Sequence, residues 1–69
     1  MTPEQIIAES KRAQRRMVVY RRDGEIVVVS RNGSRDRALG RDKSAELIGV
    51  YGQTARPEWI AEDLLWGQA

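Results

Sequence analysis

Two short apolar runs, Met17 to Tyr20 and Ile26 to Val29, flank the polar stretch Arg21-Arg22-Asp23-Gly24-Glu25. Asp-Gly is favoured in two-residue type I′ turns, which need positive φ at both central positions. The pattern predicts a β-hairpin over 17–22 and 25–31, with Arg22 facing Glu25, Tyr20 facing Val27, Val19 facing Val28 and Val18 facing Val29. One side then carries Val18, Tyr20, Val27 and Val29, and the other Met17, Val19, Ile26 and Val28. Both sides are apolar, so both need a cover, from helices elsewhere in the chain or from a second copy. Two strands alone also leave two unpaired edges, which invite strand addition.

Ahead of the hairpin the pattern changes to a helical period. Thr2 is a good N-cap, Pro3 suits the first helical position and Gln5 sits where a capping box places its Gln. At about 100° per residue, Ile6, Ile7, Ser10, Ala13 and Met17 gather on one side and Lys11, Arg12, Arg15 and Arg16 on the other. After the hairpin the pattern dissolves. Residues 32–41 read as a basic loop entered through Asn32-Gly33, with a short strand at Ser34 to Arg37 as the alternative. Asp42 is expected to cap a short helix over 43–51 that stops at Gly52, although Gly49 weakens it and Leu47 to Tyr51 would also suit a third strand. Pro57 opens a last helix to Trp66, with Gly67 as its stop, and Ile60, Ala61, Leu64 and Leu65 form its expected inward stripe. Trp59 and Trp66 project from the other side, beside Glu62 and Asp63. The expected fold class is α+β: a single small domain over 1–69 with an N-terminal helix, a hairpin and one or two C-terminal helices.

Charge adds a second pattern to the first. The 69 residues hold twelve Lys and Arg and ten Asp and Glu, a formal net charge of +2. Eleven of the twelve cations lie between Lys11 and Lys43, against four acids there, so this block carries a net +7 while both flanking stretches are acidic. Such asymmetry bears on partners more than on fold.

The chain has neither Cys nor His, which rules out disulfides and makes a metal site improbable. It also rules out Ser-His and Cys-His nucleophilic catalysis. Gly33 and Gly40 lack P-loop spacing, and Glu58, Glu62 and Asp63 read as a solvated helix face rather than a catalytic pair. No enzyme activity, cofactor or small-molecule substrate is expected. No apolar run reaches the ~18 residues of a membrane span, and no secretory leader is legible, so the expected location is cytoplasmic.

Two function classes remain. The first is a small interaction protein (adaptor, inhibitor or assembly factor) that binds a protein partner or a second copy. Its expected interface residues are Trp59, Trp66, Glu62 and Asp63 on the last helix and Val28 and Val29 on the hairpin. The second is a sequence-nonspecific nucleic-acid binder using Arg12, Arg15, Arg16, Arg21, Arg22, Arg35 and Arg37. Tyr20 is the only aromatic residue in the basic block, so base stacking would be minimal. In outline, a helix, a basic hairpin turning at Asp23-Gly24 and a C-terminal helix is similar to phage head-completion proteins of the lambda type. The likeness spans about half of the chain, and here the C-terminal helix comes later, after a break around Gly52 to Arg56. Compact, motif-poor chains of this kind are common in phages as virion parts and as inhibitors of host systems, so a phage or mobile-element origin is expected, in a virion or in the host cytoplasm.

Overall fold

The computed structural model describes residues 2–66 and has three helices and three strands. In chain order these are α1 (Pro3–Ala13), β1 (Met17–Arg22), β2 (Glu25–Ser30), α2 (Ser34–Arg41), β3 (Ala45–Tyr51) and α3 (Pro57–Trp66). The fold is α+β, as expected. Helix α1 starts in a full capping box: the Gln5 amide donates to Thr2 Oγ1 at 3.2 Å and the Thr2 amide to Gln5 Oε1 at 2.7 Å. It ends earlier than its charge pattern suggests. Gln14 takes φ 53° as a left-handed cap, so Arg15 and Arg16 lie on the turn into β1 rather than on the outer face of α1.

The hairpin has the predicted register throughout, and Asp23 (φ 53°) and Gly24 (φ 80°) both adopt the positive φ that the turn requires. The sheet order is β2-β1-β3, with both neighbours antiparallel to β1. The segment after the hairpin therefore crosses the sheet and returns on the far side of β1.

Two elements differ from expectation. Residues 34–41 form helix α2 rather than a loop, because Leu39 packs into a cluster with Val18, Tyr20 and Val29. Asp36 helps to start this helix, accepting from the Asn32 amide at 2.9 Å and from the Tyr20 hydroxyl at 2.7 Å. Tertiary contacts supply what eight residues of weak periodicity lack. Residues 45–51 form the third strand that Leu47 to Tyr51 suited, not the helix favoured over 43–51. Asp42 accepts from a backbone amide as a helix cap would, but the donor is Ser44, at 2.9 Å, together with the Ser44 hydroxyl at 2.7 Å, which makes a turn. Those bonds hold the Asp42 carboxyl below its ordinary range.

The chain's own helices cover both faces of the hairpin. Helices α1 and α3 enclose Ile6, Ile7, Met17, Val19, Tyr51 and Ile60 on one face, with Ile26 and Val28 half-buried at the margin. Leu39 of α2 closes over Val18, Tyr20 and Val29 on the other. Strand β3 carries a bulge: Val19 pairs with Gly49 but Tyr20 with Leu47, leaving Ile48 as the extra residue. Leu47 and Val50, three apart, consequently share the α2 face, whereas Gly49 and Tyr51 share the α1/α3 face.

Candidate interaction surfaces

Helix α3 is held from one side only. Ile60 is fully buried and Leu64 partly so, but Ala61 and Leu65 are exposed, which narrows the expected four-residue stripe to two positions. Polar bonds complete its seating. Arg21 Nη2 donates to the Leu64 carbonyl at 3.2 Å, and the Tyr51 hydroxyl donates to Asp63 Oδ2 at 2.7 Å. Burial, then the bond to Asp63, push the Tyr51 phenol well above its ordinary pKa. Gly49 makes this reach possible: a Cβ there would stand 2.7 Å from Tyr51 Cζ, so the ring lies over the glycine.

The rest of α3 faces solvent. Trp59 is 56% and Trp66 71% exposed, and Glu62 beside them is exposed as well. The Arg56 guanidinium sits over the Trp59 ring, 5.4 Å from its centroid. Among the described residues, the large apolar side chains left most exposed are Leu47, Val50, Trp59, Leu65 and Trp66, all of them on β3 or α3. They fall on two surfaces: Leu47 and Val50 lie on the α2 face of the edge strand β3, whereas Trp59, Leu65 and Trp66 belong to α3, which packs on the opposite face of the sheet. The hairpin contributes less than its sequence suggests. Val29 is 3% exposed beneath α2, so the folded chain itself occupies it, and Val28 is half-buried against the α1/α3 cluster.

Eight of the ten arginines separate into three groups. Arg12 pairs with Glu9, Arg22 pairs with Asp42 at 3.4 Å, and Arg21 caps α3, so these three have partners within the chain. Arg35 and Arg37 stand exposed on α2. Arg15 and Arg16 form the third group with Arg31, which sequence reading did not select. The three, with Asn32, line an open cleft of about 640 Å³ at the end of the sheet. The Arg31 amide donates to the Arg16 carbonyl at 2.9 Å, continuing the hairpin ladder by one step. The signal was present in the register, since a hairpin pairing Met17 with Ser30 necessarily sets Arg16 opposite Arg31.

Among the described residues, no group of three or more His, Cys, Asp or Glu side chains could hold a metal ion. Nor is any of the described helices long and apolar enough to cross a membrane. No protein-family model, curated protein or solved structure matches the chain.

Proposed function

We propose that this chain is a non-enzymatic interaction module, an adaptor or assembly protein that docks through the outer side of α3, with a second copy of itself as the partner. The observation that carries this reading is the exposure of Trp59, Leu65 and Trp66 together on α3. Trp at the centre of a contact contributes disproportionately to affinity. The two indoles, 56% and 71% exposed, offer roughly 300 Å² of the ~800 Å² per partner that a stable interface takes. Charge favours the chain as its own partner. Glu58 and Glu62 flank the indoles without an ion pair among the described residues, while the segment from Lys11 to Lys43 carries the positive excess. The Arg56 and Trp59 stack exemplifies a guanidinium on this ridge. A chain without Cys suits a reducing compartment, and the reading assigns the protein to the cytoplasm.

Light scattering across a concentration series tests the proposal. The expected mass exceeds the 7.9 kDa of one chain at micromolar concentration and returns to it in the Trp59→Ala/Trp66→Ala variant, with the fold retained by circular dichroism. A mass of 7.9 kDa at every concentration, from a protein that unfolds cooperatively, would overturn it.

A further inference from the structure

At the opposite end of the molecule's chemistry lies the cleft of Arg15, Arg16, Arg31 and Asn32. Three arginines line it, with no carboxylate and no apolar side chain beside them. Among the described residues, none of the three forms an ion pair. Their main chain is nonetheless fixed. The buried Ser10 hydroxyl donates to the Arg15 carbonyl at 2.6 Å, the Arg15 amide donates to the Ser10 carbonyl at 3.2 Å, and Arg31 is tied to Arg16. The left-handed Gln14 sets the turn that presents the first two. Arg16 continues into an adjoining cleft: its Cγ and Nε pass 3.6 and 3.8 Å from where a Cβ on Gly52 would stand, near Gln53 and Thr54. This second cleft likewise contains no acid and no aliphatic or aromatic side chain.

We infer that this pair of clefts binds phosphate groups of a nucleic-acid backbone. Uncompensated like charges on a rigid mount repel one another, so an anion that enters relieves that repulsion as well as gaining charge-assisted hydrogen bonds. Guanidinium forks match phosphate oxygens in pairs, and the neutral amides and hydroxyl nearby can serve the remaining acceptors. An acidic peptide would also meet the charge, but the clefts offer its side chains no apolar contact. Two clefts that share Arg15 and Arg16 suit successive phosphates on one strand better than a single free anion. Without an aromatic side chain in the lining, no base is stacked there, and binding is indifferent to base sequence. The clefts share no residue with β3 or α3.

The test is fluorescence anisotropy of labelled DNA and RNA oligonucleotides, single-stranded and duplex, of two unrelated sequences. Affinity should be the same for both sequences and fall roughly 20- to 40-fold between about 50 and 200 mM salt, as three phosphate contacts require. Arg15→Ala, Arg16→Ala and Arg31→Ala should each lower the log-log salt slope by about 0.7 to 0.9, whereas Arg37→Ala on α2 should leave it unchanged. Arg31→Lys should keep the slope but weaken binding, because the fork is lost while the charge stays; it also serves should Arg31→Ala fail to fold. The comparison of strands and sugars identifies the preferred polynucleotide. Absence of binding in ~50 mM salt, an equal loss from Arg37→Ala, or equally effective competition by a Glu-rich peptide of matched charge would overturn the inference. So would displacement by inorganic phosphate at an equal concentration of phosphate groups, which would make the site one for a small anion.

Discussion

On one face of the sheet α1 and α3 bury Ile6, Val19 and Ile60 completely; on the other, α2 inserts Leu39 and leaves Leu47 and Val50 in solvent. Each face is also tied by one tyrosine hydroxyl to one aspartate, Tyr51 to Asp63 and Tyr20 to Asp36. The shared device serves different ends. Under two helices the tie positions α3 on an already dry core, whereas under a single short helix it is a large part of what holds α2 down. The contrast implies that the α1/α3 side carries the stability of the domain, and that the thinly covered α2 side and the outer flank of α3 are surfaces left over for other work.

The sharpest way to break this contrast is to truncate each core in turn. Ile60→Ala should cost about 3 to 5 kcal/mol, enough to unfold a domain of this size, while Leu39→Ala should cost about 2 kcal/mol because its surroundings can collapse and admit water. Urea unfolding measures both, and equal losses would show the two faces to be equivalent. Next comes Gly49→Ala. The new methyl group would displace the Tyr51 ring and break its bond to Asp63, for an expected loss of about 2 kcal/mol; Tyr51→Phe in the same background should then add little.

A smaller effect separates the ties by pH. Both phenols are held above their ordinary range, Tyr51 by burial first and Tyr20 first by its bond to Asp36. The folded state thus keeps protons that the unfolded state has released, so this contribution is intact below about pH 10 and is lost as pH rises beyond it. Tyr51→Phe should flatten the alkaline fall in stability more than Tyr20→Phe, since only the Tyr51 shift is large. The smallest effect belongs to α3's outer flank. Trp66→Ala and Trp59→Ala should each change stability by under about 1 kcal/mol, with emission from the single chain typical of wet, readily quenched indole.

How far the sequence carried the fold depended on whether a signal was local. The hairpin was legible to the residue, because Asp23-Gly24 specifies a turn and the turn specifies a register. The Thr2 to Gln5 capping box was equally local. Helix α2 reads as a loop, and β3 stays open between helix and strand, for one reason: each takes its conformation from β1, through Leu39 and Asp36 in the first case and through the vacant edge of β1 in the second. Asp42 marked a turn in the right place, but the same carboxylate chemistry opens turns and helices alike. On the surface, the exposure of Trp59 and Trp66 follows from the helical wheel, whereas Val29 suits an interface only if residues 34–41 are a loop, and as helix α2 they cover it.

Because β1 is the central strand while β3 comes late in the chain, the order of synthesis and the order of assembly conflict. A ribosome that has released α1, the hairpin and α2 has made the strand at the middle of the sheet but neither its second neighbour nor the residues Tyr51 and Ile60 that complete the larger core. The nascent chain therefore exposes Met17, Val19 and the open edge of β1 until β3 and α3 have been released. Folding of this domain then waits for α3, which closes over a surface that until then is open to any other strand or apolar chain within reach.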